Sequence, residues 1–293
     1  MNRVLVIVVT FNGERFLEKC LSPLKSTEVD CLVIDNASTD KTKEILKEKY
    51  FHIPLIENEK NLGFGAANNM GFRYAFDKGY EYIYLLNQDA WIDSGDILKL
   101  ITLADAKRNY GILSPLQVYP DGVTPDGKFS NCFSAELHDI LSGGKASEQI
   151  YPVKKGGMLQ AAHWLVRMCA LKEVGGFSPV FFHYGEDKNL CYRMRYRGWE
   201  LGVVPSVKGV HDRAHRVETK KQILYLELQK WKNALSDPTK EAKERRNHLY
   251  ILMKESARSN KLSVIPNVFK LLKQLPTIKK NYRQSLSEGA FLS

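Results

Sequence analysis

The chain has 293 residues, 44% of them hydrophobic and 26% charged, which is ordinary globular usage and enough for one large α/β domain with an appendage, or for two domains. No stretch reaches the roughly 18 apolar residues of a membrane span. Five scattered cysteines (Cys20, Cys31, Cys132, Cys169 and Cys191) include no Cys-x-x-Cys pair, so neither a zinc site nor a disulfide framework is suggested.

The net charge of +10 is unevenly placed: residues 212–293 hold 18 Lys and Arg against 8 Asp and Glu, while the part before them is balanced. The first residues run straight into VLVIVVT, too short and too poor in small residues for a signal peptide, so the expected location is cytoplasmic.

RVLVIVVT (3–10) is a continuous β-branched run without alternation, the pattern of a parallel strand covered on both faces. Helical spacing follows in ERFLEKCLSPL. Next come a strand in VDCLVID (29–35), a helix from Thr39 to about Lys49, a short strand in IPLIEN, a helix from about Gly65 to Asp77, and a strand in YEYIYLL (80–86). This alternation predicts an α/β fold: a Rossmann-like, open, mostly parallel sheet flanked by helices, with right-handed crossovers. From 111 to 184, Gly and Pro punctuation predicts strands and loops. A helix from Glu186 to Arg197 stops at Gly198, with arginines in its last turns complementing the dipole. A strand, ELGVVP, leads to VKGVHDRAH, and the rest is expected to be helical. The composition shift sets a boundary near 215–216, with a basic helical extension over 216–293.

Ligands of such sheets sit beyond the carboxyl ends of the strands, and those ends here read Thr10-Phe11-Asn12, Asp35-Asn36, Glu57-Asn58 and Asn87-Gln88-Asp89. Ser38 or Asp40 is expected to cap the following helix. Asp35 is different, because a carboxylate at a strand end can accept hydrogen bonds from a ribose or a base edge. In NLGFGAANNMG (61–71), Gly63 and Gly65 suit a turn into a helix, and Asn61 and Asn68 could line a nucleoside pocket. Asp89 suits a hard cation such as Mg²⁺ or Mn²⁺, which takes one or two carboxylates together with phosphate oxygens. One of Glu186 and Asp187 could serve as a general base rather than merely complement the helix dipole. His211, after a later strand, would complete a mixed oxygen and nitrogen site.

Five ordered motifs carry a resemblance: VVTFN (8–12), VIDNASTD (33–40), NLGFGAANN (61–69), LLNQDA (85–90) and VGGFSPVFFHYGEDKNLCYR (174–193). Over residues 3–215 the chain resembles the family 2 glycosyltransferases of the GT-A fold, particularly bacterial rhamnosyltransferase-like members. The resemblance implies that Thr10, Asn12, Asp35 and Asn61 surround a donor nucleoside, with Asn68 nearby. It puts Asn87-Gln88-Asp89 at the family's D-x-D position, with Asp89 as metal ligand, Asn87 as ribose or weak metal contact, and His211 as a second ligand. Asp187 would be the catalytic base, Glu186 the fallback, and Trp164 and Phe182 would line the sugar and acceptor site. Two departures stand out: Asn87 replaces an acid, and Asn189 stands where relatives often carry another.

The implied reaction is a single in-line displacement with inversion. The donor would be a dTDP- or UDP-linked sugar, rhamnose or another hexose, and the acceptor a growing cell-surface polysaccharide or a lipid-linked oligosaccharide. The basic tail mixes Lys with Leu, Ile, Trp and Tyr at helical spacing, which suits either packing on the catalytic part or peripheral contact with an anionic membrane at the inner face of the plasma membrane. A sugar-phosphate nucleotidyltransferase would show a Gly-rich, Arg-containing loop after the first strand, whereas VVTFNGERF has a single Gly. A nucleic-acid-binding module would rest on the basic tail alone, without stacking platforms or a reading motif, so nucleic acid is not an expected partner.

Overall fold

A computed structural model of the protein describes residues 3–24, 27–143, 148–213, 219–259 and 261–292. The boundary expected near 215–216 lies outside the described residues.

The first half follows the β-α alternation. In order come β1 (Val4–Thr10), α1 (Leu17–Leu21), β2 (Asp30–Asp35), α2 (Thr42–Lys49), β3 (Leu55–Glu57), α3 (Phe64–Lys78), β4 (Tyr82–Asn87), β5 (Ala90–Trp91), α4 (Ser94–Ala106) and β6 (Tyr110–Val118). Then follow α5 (Ala135–Ser142), β7 (Tyr151–Pro152), β8 (His163–Arg167), α6 (Met168–Val174), α7 (Glu186–Tyr196) and β9 (Glu200–His211), and after them α8 (Lys220–Leu235), α9 (Ala242–Ser259) and α10 (Lys261–Gln284). The helix expected in ERFLEKCLSPL shortens to α1 plus a 3₁₀ turn at Ser22–Leu24, where Pro23 cannot donate to a continuing α-ladder.

The strand order is β3-β2-β1-β4-β8-β6-β9-β5, with β7 beside β9. The first four strands pair in parallel. Beyond them the sheet is mixed, because β8 inserts antiparallel between β4 and β6, and β6 then pairs in parallel with β9. Residues along β1 alternate between the sheet's faces. Leu5 and Ile7 join a core with Phe72 and Phe177, and Val4, Val6 and Val8 join one with Leu17, Leu46 and Ile97. A smaller third core forms around Leu228, Trp231, Leu271 and Ile278 of α8 and α10.

Register brings the polar residues to one edge. Thr10 pairs with Asp35, Asp35 with Glu57, and Val9 with Asn87, so the parallel strands end together. Because β8 runs antiparallel, its first residue, His163, meets Leu86 near the end of β4. Strand β9 runs with β6, and its last residue, His211, pairs with Ala90 of β5 just past Asp89. The expected break between ELGVVP and VKGVH is a bulge inside one strand: Val204 faces Pro115 and Lys208 faces Leu116, leaving Pro205 and its two successors without partners on β6.

Candidate functional site

At the ends of β1 and β2 the polar residues hold one another. The Thr10 hydroxyl donates to Asp35 Oδ1 (3.1 Å) and the Ser38 amide to Asp35 Oδ2 (3.0 Å), so the fully buried carboxylate is used inside the rim. Asn12 has a left-handed backbone (φ 49°); its amide donates to Ser38 Oγ (2.9 Å) and its Oδ1 accepts from the Thr39 amide (2.8 Å). Asn61 Oδ1 accepts from Asn36 Nδ2 (2.9 Å) and from the Gly63 amide (2.8 Å). Thr10, Asn12, Asp35 and Asn61 are therefore brought together. Asn68, buried one turn into α3, donates back to the Phe64 carbonyl (2.9 Å) and makes no hydrogen bond to these four.

Two organisers of this rim carry no sequence expectation of their own. Asn36 also accepts from the Leu62 amide (2.9 Å) and from Asn58 Nδ2 (3.2 Å), tying the end of β2 to the loop before α3. Gln88 clasps the Phe11 backbone in both directions, accepting from its amide (2.8 Å) and donating to its carbonyl (3.2 Å). Both sit beside expected positions, and an amide that satisfies backbone groups at a strand end is the signal that could have found them.

Asp89 is buried, and His211 Nε2 lies 3.6 Å from its Oδ1. The pairing of Ala90 with His211, and a bond from the Asp212 amide to the Asp89 carbonyl (2.8 Å), hold the two side by side. On its other side His211 Nδ1 lies 3.7 Å from Asp126 Oδ2, which accepts from Arg213 Nε (2.5 Å). Burial opposes ionisation of Asp126, but the Arg213 guanidinium and the amides of Lys128 and Phe129 outweigh it and hold the carboxyl below its usual range. Asp126 was not foreseen, since TPDGK reads as a turn. Neither His211 ring nitrogen makes a hydrogen bond, and Asn87 Oδ1 is likewise buried without a partner. Buried nitrogen and oxygen atoms left without hydrogen bonds at this rim are free to face a cation.

Glu186 and Asp187 open α7 behind Gly185, whose φ of 96° turns the chain into the helix. The helix dipole favours their charge. Burial works against it and raises both carboxyls, Glu186 further because the neighbouring Asp187 charge adds to the effect. Glu186 is buried with Oε2 unpartnered. Asp187 Oδ1 accepts from the Lys188 amide (2.7 Å), and the Ala161 amide also favours the ionised carboxylate. Asn189, in place of a further acid, accepts from Arg193 Nε (3.1 Å), and the same guanidinium donates to the Val174 carbonyl (3.0 Å).

The segment just before β8 joins these parts. The Ala161 amide faces Asp187, the Ala162 carbonyl accepts from the Asn87 amide (3.1 Å), and Gln160 Oε1 accepts from Arg213. The loop before α3 closes the other side: the Phe64 amide donates to the Phe182 carbonyl (3.1 Å), and Gly65 packs beside Glu186. Phe182 stands at the rim, 56% exposed. Trp164 does not line the site. It lies within β8, fully buried and stacked on Phe177 (centroids 6.1 Å), because the odd and even residues of HWLVR face opposite cores.

The residues present fit a divalent ion. Ligands in neighbouring positions of an octahedral ion with bonds of about 2.1 Å stand about 3 Å apart, so Asp89 Oδ1 and His211 Nε2, 3.6 Å apart, need close by only about half an ångström to share one. Among the described residues no three His, Cys, Asp or Glu side chains form a cage, so further ligands would be oxygens of water or of a bound molecule.

Known proteins share the sequence and the fold of this chain. The chain is 30% identical over 233 residues to N-acetylglucosaminyl-diphospho-decaprenol L-rhamnosyltransferase of Mycobacterium tuberculosis, an alignment covering 72% of this chain and 76% of that protein. Among solved structures, S. aureus TarS 1-349 superposes with a TM-score of 0.59 at 16% identity, covering 98% of this chain and 81% of that one. The mannosyltransferase PcManGT from Pyrobaculum calidifontis, in complex with GDP-Man and Mn²⁺, superposes with a TM-score of 0.55 at 17% identity, covering 99% and 84%. These two show the fold, the GT-A arrangement expected from the motifs. Residues 5–175, more than half of the chain, match the model of the family described as Glycosyl transferase family 2, and the chain belongs to that family.

Proposed function

We propose that this glycosyltransferase inverts configuration at a hexose, rhamnose for preference, as it passes from a dTDP- or UDP-linked donor to a hydroxyl of a lipid-linked oligosaccharide or growing cell-envelope polysaccharide. The observation that carries the proposal is the segment 160–162, which meets Asp187 at Ala161, Asn87 at Ala162 and the Arg213–Asp126–His211 chain at Gln160. It supports one cleft with a carboxylate pair on one wall and Asp89 with His211 on the other. The rhamnosyl preference rests on the name of the Mycobacterium tuberculosis relative.

In this reading the nucleoside lies on the rim formed by Thr10, Asn12, Asp35 and Asn61. Asp89 and His211 would hold a divalent ion, Mn²⁺ or Mg²⁺, which would supply positive charge to neutralise the diphosphate. Asp187 accepts the proton of the acceptor hydroxyl. The oxygen forms a bond to the anomeric carbon, and the bond from that carbon to the diphosphate breaks with its electron pair leaving on phosphate oxygen. Glu186, the more strongly raised carboxyl, remains protonated at neutral pH and leaves the negative charge to its neighbour.

Asp187→Asn is expected to lower transfer by at least about a hundredfold while donor affinity holds, because it removes the base without touching the nucleoside rim. Turnover near the parent's would remove Asp187 from the role. Asp89→Ala is expected to weaken nucleotide-sugar binding with Mn²⁺ present, read by calorimetry. A thermal-shift panel of nucleotide sugars with Mn²⁺ identifies the donor.

A further inference from the structure

Helix α10 has two faces. Asn267, Leu271 and Ile278 are buried against the other tail helices, and Asn267 Nδ2 donates to the Leu224 carbonyl of α8 (2.7 Å). On the opposite side Ile265, Phe269 and Leu272 are 54%, 68% and 58% exposed, spaced four and three residues apart along one stripe that Pro276 continues. A folded surface rarely leaves large apolar side chains in such a row uncovered.

The charge around the stripe indicates what covers it. Residues 256–287 contain seven Lys and Arg and no Asp or Glu. Lys270 and Lys273 are exposed beside Phe269 and Leu272, and Lys279, Lys280 and Arg283 follow in the next turns. On α9, exposed Tyr250 and Ile251 follow Leu249, which with Met253 and Leu275 lines an apolar groove of about 460 Å³ between the two helices, edged by Arg246 and Lys279. Apolar side chains bordered by cations, next to an apolar groove, match the layering of a lipid surface, with acyl chains inside and phosphates at the level of the Lys and Arg heads. Among the described residues no helix is long and apolar enough to cross a membrane, so the contact would be interfacial.

We propose that the outer face of α10, with the adjoining part of α9, seats on the surface of an anionic lipid bilayer. The purpose of the contact rests on the glycosyl-transfer reading above. Helix α10 packs on α8, and Tyr225 of α8 donates to the His183 carbonyl (2.8 Å) in the loop that leads to Glu186 and Asp187. One helix thus separates the lipid face from the carboxylate pair, and an acceptor anchored in that bilayer would present its hydroxyl along the surface on which the enzyme rests.

The test is flotation of the full chain with vesicles of equal phosphatidylglycerol and phosphatidylcholine, and with pure phosphatidylcholine, at low and high salt. Binding is expected to the anionic vesicles at low salt, reduced at least about tenfold by high salt, by Phe269→Glu with Leu272→Glu, and by Lys270→Glu with Lys273→Glu. All four positions are exposed, so circular dichroism and transfer to a water-soluble acceptor should match the parent. Absence of binding to anionic vesicles at low salt, or unchanged binding by both double variants, overturns the docking face and leaves the transfer reading intact. Self-association abolished by Phe269→Glu with Leu272→Glu, without vesicle binding, would assign the face to a second copy and overturn the proposal equally. Vesicle binding with no nucleotide-sugar turnover would instead count against the transfer reading alone.

Discussion

At the scale of single residues, the carboxylate pair is where position and environment pull against each other. The first turn of a helix favours negative charge, but burial raises both acids, and Glu186 Oε2 has no partner to offset its desolvation. An acid whose carboxyl is raised by folding contributes full stability below its unfolded value, about 4.3, and loses it as pH rises through the folded value. Glu186→Gln removes that loss. Its melting temperature should match the parent's in acid and exceed it in alkali by about 2–4 °C per kcal/mol relieved, as read in thermal melts across pH. With Asp187 as the proposed base, its own raised carboxyl places the acid limb of the pH–rate profile above the ordinary carboxylate range, because a base must be ionised to take a proton. An acid limb near pH 4 would show that the active carboxylate is not this buried one. Much of this site was legible in the sequence because acids and amides at strand ends have a fixed place in an α/β sheet. Asp126 was not legible: its short Pro-Asp-Gly setting reads as a turn, and only the fold brings it to His211 from 85 residues away. Trp164 was misplaced for the converse reason, since nothing local says which face of a buried strand a residue occupies.

At the scale of elements, the loop before α3 depends on one backbone conformation. Gly63 has φ 83°, and a Cβ there would lie 2.1 Å from the Phe182 carbonyl oxygen that the Phe64 amide binds. Gly63→Ala is strained in conformation and by contact, and the movable neighbour is the segment leading to Glu186 and Asp187. Displacing a base by about 1 Å costs on the order of a hundredfold in rate, so kcat should fall by roughly 10- to 100-fold. Steady-state kinetics with saturating donor measure it; a kcat within twofold of the parent would mean that the loop adapts without moving the acids. The alternation of β1 to β4 was readable because each buried strand is followed by a helix of crossover length. The direction of β8 was not, since HWLVR is equally apolar in either orientation and its neighbours come from distant parts of the chain. In β9, Pro205 and its successors form a bulge on a strand whose hydrogen bonding resumes at Lys208, so a sequence signal that ordinarily ends a strand only interrupts this one.

At the scale of the molecule, the basic helices are bound to the catalytic part by more than chain connectivity. Lys232 donates to the Val180 carbonyl (3.2 Å) and Asn233 to the Gly185 carbonyl (3.0 Å), fixing α8 on the loop that ends at the carboxylate pair. Beyond α10 the chain returns to the catalytic part: the Gly176 amide donates to the Ala290 carbonyl (2.8 Å), Asn69 Nδ2 to the Phe291 carbonyl (3.3 Å), and Arg197 to the Leu286 carbonyl (2.6 Å). Arg193 stacks over the Phe291 ring at 5.3 Å while holding the turn after α6. The small core of Leu228, Trp231, Leu271 and Ile278 is too slight to hold three helices without this support. The whole chain should therefore unfold in one calorimetric transition, and Phe291→Ala, which empties a site only 7% exposed, should cost roughly 3 kcal/mol and lower that single transition as a whole. If the helices instead melt separately below an unshifted main transition, the returning segment is a surface attachment and the two parts fold independently.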